Sequence, residues 1–146
     1  MVYEESLRVP LVIRGPGLPA GQTRTKLKVN VDVAPTIVEL AQASALRVMD
    51  GRSLVPLMKD PTISWRKEFL SEGWFISAES YYAAVRTDRY VYAEYSTGGK
   101  EFYDLAVDPY QLQSKHPSGS WLDQAIMANL KLRLNALKTC SGSGCR

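Results

Sequence analysis

Between residues 67 and 105 the apolar positions come in short runs: Lys67–Gly73, Tyr81–Arg86, Arg89–Tyr95 and Lys100–Leu105. Runs of this length, rich in Tyr and Val and separated by turn residues, are strand signals. Thr87-Asp88 is short enough for a tight hairpin, and Thr97-Gly98-Gly99 can supply a positive φ at the next connection. Four such runs in sequence predict an antiparallel meander. Beyond it, Leu122, Ile126, Leu130, Leu134 and Leu137 recur every three or four residues. That spacing makes an apolar stripe on a helix, and packing on the sheet is its natural use. Ser120 is placed as its N-cap, with Asp123 three residues on in a capping-box position.

The first part of the chain reads differently. Arg8–Arg14 is a short apolar run closed by Gly15-Pro16-Gly17, which predicts a buried strand with Pro10 at its start or on an edge. Lys26–Val31 alternates basic and apolar residues, as a short strand with one wet face does. Asp32 is placed to cap a helix running to about Ala43, with Pro35 tolerated in its first turn and Ile37, Leu40 and Ala41 on its apolar face. Met49–Arg52 predicts a turn and Ser53–Leu57 a short helical turn. The change of character after Asp60-Pro61 divides the chain into residues 1–62, of α/β type, and residues 63–146, of α+β type.

At 146 residues, 45% hydrophobic and 23% charged, the composition is that of a globular domain. No apolar run is long enough to span a membrane. The first twenty residues carry Glu4, Glu5, Arg8, Arg14 and two prolines, so a signal peptide for export would lie outside this chain. The formal charge of +3 is dispersed, without the basic stripe a nucleic-acid binder shows. Lys131, Arg133 and Lys138 read as the solvated face of the last helix.

Candidate chemistry is sparse. One histidine and two cysteines fall short of a four-ligand zinc site. His116 lies in Ser-Lys-His-Pro-Ser-Gly and reads as an exposed loop residue. Glu4 and Glu5 are adjacent and point apart on an extended chain, so they make a poor catalytic pair. Gly15, Gly17 and Gly21 do not form a phosphate-binding loop. Asp104 and Asp108 read as turn formers ahead of metal ligands. Trp74, Phe75, Tyr81 and Tyr82 read first as sheet packing, with a sugar or aromatic pocket as the alternative. Cys140 and Cys145 are separated by flexible Ser-Gly-Ser-Gly, which favours a small structural disulfide near the helix end over a redox dithiol. A disulfide in turn points to an oxidising compartment: extracellular, periplasmic or lysosome-like.

Several motifs occur in a telling order. Tyr3-Glu-Glu-Ser-Leu-Arg-Val-Pro-Leu11, Arg14-Gly-Pro-Gly17, Asn30-Val-Asp-Val-Ala-Pro-Thr36 and Asp50-Gly-Arg-Ser-Leu54 are followed by Val85-Arg-Thr-Asp-Arg-Tyr-Val-Tyr92 and Phe102-Tyr-Asp-Leu105 with Asp108-Pro109. Together they resemble the C-terminal portion of type I, formylglycine-dependent sulfatases. The closing Leu-Lys-Thr-Cys-x4-Cys-Arg is similar to secreted members of the N-acetylglucosamine-6-sulfatase kind. After Asp108-Pro109 this chain has Tyr-Gln-Leu-Gln-Ser where the family often has a Glu and an Asn-Leu. The resemblance implies the last strand and helix of an alkaline-phosphatase-like α/β core in residues 1–62. A four-stranded antiparallel sheet with a C-terminal helix follows in residues 63–146. It implies a parent hydrolase of sulfate esters, including those of sugars, that uses Ca²⁺ and a formylglycine. The Cys/Ser-x-Pro-x-Arg source of that nucleophile is not in this sequence. The family's calcium ligands and catalytic His and Lys also fall upstream, so the implied partner is an N-terminal catalytic part, and no catalytic or metal residue is assigned here. Trp74, Phe75 and Glu79, after the first predicted strand, are the substrate-side candidates. Two other readings fit the same resemblance: a non-catalytic carbohydrate-binding or protein-interaction module, and part of a related phosphonate or phosphate ester hydrolase.

Overall fold

The computed structural model describes residues 2–74 and 81–145. Its elements are helix α1 (Glu4–Leu7), a 3-10 turn (Asn30–Asp32), helices α2 (Val33–Leu40) and α3 (Val55–Lys59), strands β1 (Glu68–Trp74), β2 (Tyr81–Thr87), β3 (Tyr90–Tyr95) and β4 (Lys100–Asp104), helix α4 (Trp121–Lys138) and a 3-10 turn (Gly142–Cys145). They gather into two compact units, one of residues 1–10 and 68–139, the other of residues 11–67 and 140–146.

The sheet unit carries the predicted meander, in order β1-β2-β3-β4 with every pair antiparallel. The β2–β3 turn is tight because Thr87 Oγ accepts from the Tyr90 N–H at 2.8 Å. At the β3–β4 turn Gly98 takes φ +88°, a conformation side chains resist. The register sorts the residues onto two faces. One face carries Ala83, Val85, Tyr92 and Phe102, all buried, and α4 covers it with Met127, Leu130, Leu134 and Leu137. Of the predicted stripe, Leu122 is exposed and Met127 takes a buried place instead. The capping box is present: the Asp123 N–H donates to Ser120 Oγ at 3.2 Å, and the Ser120 N–H to Asp123 Oδ2 at 3.0 Å. On the opposite face Tyr82, Ala84, Val91, Ala93 and Tyr103 pack with Val2, flanked by Tyr3, Tyr95 and Leu105.

The second unit has a smaller core of Leu54, Leu57 and Trp65, with Ile13, Met58 and Ile63 against it. Here the expectations need correction. Residues 8–14 and 26–31 form no strand. A strand exists through its ladder, and among the described residues neither segment has a pairing partner. Val9 and Val12 are instead largely exposed. Helix α2 stops at Leu40, short of Ala43. Asp32 precedes α2 without capping it, because stronger partners claim its carboxylate.

Candidate functional site

Asp32 is fully buried and meets Arg66, whose side chain is 3% exposed. Its Oδ1 accepts from the Arg52 N–H at 2.8 Å and from Arg66 Nη2 at 2.7 Å. Its Oδ2 accepts from the Val29 N–H at 3.0 Å and from Arg66 Nη1. Thr36 Oγ1 donates to the Asp32 carbonyl at 2.6 Å and accepts from the Leu54 N–H at 2.9 Å. Gly51 passes so close to Val31 that a Cβ there would lie 1.9 Å from the Val31 carbonyl oxygen. Arg52 and Arg66 also lie over the Trp65 ring, at 4.4 and 5.6 Å from its centroid. All of the Asp32 hydrogen-bonding capacity is spent internally, so this cluster organises its unit and offers nothing to a ligand.

In the sheet unit, Glu4 on α1 receives the Arg86 guanidinium through two bonds, of 2.8 and 3.0 Å. Glu4 and Glu5 open helix α1 rather than lying on an extended chain, and Glu4 is structural through its Arg86 pair. An open depression of about 480 Å³ lies beside this pair, lined by Arg8, Leu105, Pro109 and Tyr110 among others. A second, of about 400 Å³, runs between α4 and the sheet past Thr87, Tyr90 and Asn129. Arg89 closes on Asp104 through two bonds of 2.8 and 2.7 Å. That hydrogen-bonded guanidinium holds the Asp104 carboxyl below its usual range, against the opposing effect of burial. Asp104 and Asp108 serve turns: Asp104 accepts from the Ala106 N–H, and Asp108 from those of Leu112 and Gln113. His116 sits in the loop after β4, half-buried rather than exposed, with its neighbour Lys115 tied to the Phe102 carbonyl at 2.8 Å.

The aromatic candidates part company. Tyr82 is buried in the sheet core. Trp74 pairs with Tyr81 across β1 and β2, and their rings lie 4.8 Å apart at 44°. Trp74 nevertheless stays 75% exposed. The Tyr81 hydroxyl donates to the Glu72 carboxylate. Burial and that carboxylate together push the Tyr81 phenol up to about 12, so it keeps its proton at neutral pH. Phe75 and Glu79 lie outside the described residues.

Cys140 and Cys145 form a disulfide with a Cα–Cα distance of 5.3 Å. Within the second unit, the Gly142 N–H of the tail donates to Asp50 Oδ1 at 2.7 Å. Both cysteines being bonded, neither is available as a nucleophile. Among the described residues no group of three or more His, Cys, Asp or Glu could hold a metal ion. The described residues therefore fit neither a calcium site nor, with both cysteines bonded, a cysteine-derived formylglycine. Among the described residues no helix is long and apolar enough to cross a membrane.

Comparison with known proteins decides the family. The model of "N-sulphoglucosamine sulphohydrolase, C-terminal" matches residues 1–140. The chain belongs to this sulfatase C-terminal family. It is 31% identical to N-acetylglucosamine-6-sulfatase of Bos taurus, over 99% of this chain and 32% of that protein. It is 35% identical to choline-sulfatase of Rhizobium meliloti, over 86% of this chain and 25% of that protein. Among solved structures it is similar to BT4656 in complex with its substrate D-glucosamine-2-N,6-O-disulfate (TM-score 0.66, 23% identity, 83% of this chain and 25% of that one). It is also similar to the phosphonate monoester hydrolase of Agrobacterium radiobacter (TM-score 0.63, 22% identity, 73% and 24%). These likenesses bear out the sulfatase-like fold: the four-stranded antiparallel sheet with its C-terminal helix. The chain spans about a third of the length of the N-acetylglucosamine-6-sulfatases it matches.

Proposed function

We propose that this chain is the C-terminal part of a hydrolase of sulfate esters, including sulfate esters of sugars. The family match across residues 1–140 carries the reading. In it, residues 1–62 close the α/β core and residues 63–146 form the smaller subdomain beside the substrate, with Trp74, Phe75 and Glu79 on the substrate side. The preceding, N-terminal part supplies the nucleophile, a formylglycine, and the Ca²⁺ that neutralises sulfate oxygens, since the residues here fit neither. This chain's own contribution is to hold and orient substrate. The disulfide supports an oxidising compartment, whether extracellular, periplasmic or lysosome-like.

The test has two steps. An in-frame Cys/Ser-x-Pro-x-Arg motif is expected in the coding sequence upstream of Met1. The longer protein, but not the 146-residue chain, should release sulfate from an aryl sulfate. Turnover by the short chain, or an upstream sequence lacking the motif, overturns the reading. The fold likeness to a phosphonate monoester hydrolase favours one second reading, a phosphonate or phosphate ester hydrolase. Faster release of phosphonate than of sulfate by the longer protein would establish it. A non-catalytic carbohydrate-binding or interaction module is what remains if neither ester is cleaved.

A further inference from the structure

The exposed aromatic pair at the end of β1 and β2 has the chemistry of a sugar site. Trp74 leaves three-quarters of its surface open to water, although burial of so large an apolar side chain is favourable. Its neighbour Tyr81 is held from both sides. The Tyr81 N–H donates to Ser96 Oγ at 3.0 Å, and the Ser96 N–H donates to the Tyr81 carbonyl at 2.8 Å. Its hydroxyl is spent on Glu72. Register places Glu72, Trp74 and Tyr81 on one face of the sheet. The pair is thus a rigid aromatic surface with a carboxylate at its edge, and little side-chain entropy would be lost on binding.

We propose that Trp74, Tyr81 and Glu72 form a stacking platform for a pyranose ring other than the one bearing the reacting sulfate. The apolar C–H face of a pyranose lies flat on the exposed indole. The Glu72 carboxylate keeps lone pairs beyond the one taken by Tyr81 and accepts from a ring hydroxyl or an amino group. The same negative charge disfavours a sulfate at this spot, which is why the platform suits a neutral or amino sugar neighbouring the sulfated one. The inference rests on the reading of the parent as acting on sugars.

The test uses the 146-residue chain itself. Its three tryptophans give three indole N–H signals by NMR, assigned with W74F and W121F. Titration with the N-acetylglucosamine disaccharide should move the Trp74 signal saturably in the millimolar range. The signals of Trp65, whose N–H is held by the Leu27 carbonyl at 2.6 Å, and of exposed Trp121 should stay still. W74A should weaken binding at least tenfold while W121F leaves it unchanged, and E72Q should narrow the preference for the neutral disaccharide over N-acetylglucosamine 6-sulfate. No saturable shift, an equal shift at Trp121, or tighter binding of the sulfated sugar by the unaltered chain would overturn the platform. No sulfate ester is cleaved in this experiment, so its failure leaves the hydrolase reading standing. Failure of the longer protein to release sulfate would conversely leave the platform intact.

Discussion

Replacing Asp32 by Asn tests how the second unit is held together. The change is nearly isosteric, so its effect is electrostatic. The carboxylate accepts four bonds, two from backbone N–H groups and two from Arg66. Asn offers one acceptor oxygen, and its amide turns donors toward donors. Exposed ion pairs contribute about 0–1 kcal/mol, but here both partners are at most 3% exposed. Removing one member of a buried pair costs about 3–5 kcal/mol, because the remaining charge is left uncompensated. Against a typical domain stability of about 5–15 kcal/mol, that is enough to melt this unit at moderate denaturant. Trp65 reports it directly, since Arg52 and Arg66 lie over its ring. In a W74F/W121F background it is the remaining tryptophan, and urea titration of its fluorescence gives the change. A loss under about 1 kcal/mol would refute the argument. A double variant, Asp32→Leu with Arg66→Met, should recover much of the loss, since apolar residues of similar volume often replace buried pairs without penalty.

Gly51→Ala should lower the stability of the same unit by about 1–3 kcal/mol, because its Cβ would meet the Val31 carbonyl at 1.9 Å; a near-neutral result would show that the two backbones separate easily. The Asp104 carboxyl is depressed in the folded state, so the unfolded state binds its proton more readily. Its stabilisation is full above the unfolded value of about 3.9 and fades as pH falls through the folded one. Amide protection factors in β2–β4 should therefore fall below about pH 4, and Asp104→Asn should flatten that acid dependence. Reducing Cys140–Cys145 should free the tail and its Gly142–Asp50 bond, at a cost of about 2 kcal/mol for so short a ring. Amide protection in the four strands should not change, and its loss would assign the disulfide a global role.

The sheet was legible because its signals are local. Alternation, turn residues and a capping box all act within a few positions, and the register then fixes the faces. The strands expected at residues 8–14 and 26–31 are absent for the converse reason: both segments have the composition of strands, but composition supplies no ladder. Asp32 was expected to cap α2 and does not; its role as a hub was hidden because Arg66 lies 34 residues away and no spacing rule connects them. Trp74 and Tyr82 look alike in sequence and differ in role. By register Trp74 shares the α4-covered face but sits at the end of β1, where it stays open, whereas Tyr82 lies in the buried core of the opposite face. Aromatic content announced a possible platform, but only the pairing of Trp74 with Tyr81 and of Tyr81 with Glu72 located it.

The motifs that mark the family are, residue by residue, the interlocks of the fold. Glu4 of the Tyr-Glu-Glu-Ser motif holds Arg86 of Val-Arg-Thr-Asp-Arg, and Arg89 of that same motif holds Asp104 of Phe-Tyr-Asp-Leu. Asp32 and Thr36 of Asn-Val-Asp-Val-Ala-Pro-Thr hold Arg52 and Leu54 of Asp-Gly-Arg-Ser-Leu, and Gly51 of the latter allows the approach to Val31. Each of these five motifs is half of a contact whose other half is another of them, which is why any one alone says little and their ordered set says much. It also explains why they identify a fold without assigning chemistry. Their polar groups face one another, and a carboxylate already accepting from a guanidinium and backbone amides has little capacity left for a substrate. Substrate-side function in this chain therefore has to be sought where polar and aromatic groups remain open to solvent, as Trp74 and Glu72 do, and not along the motifs by which the family is recognised.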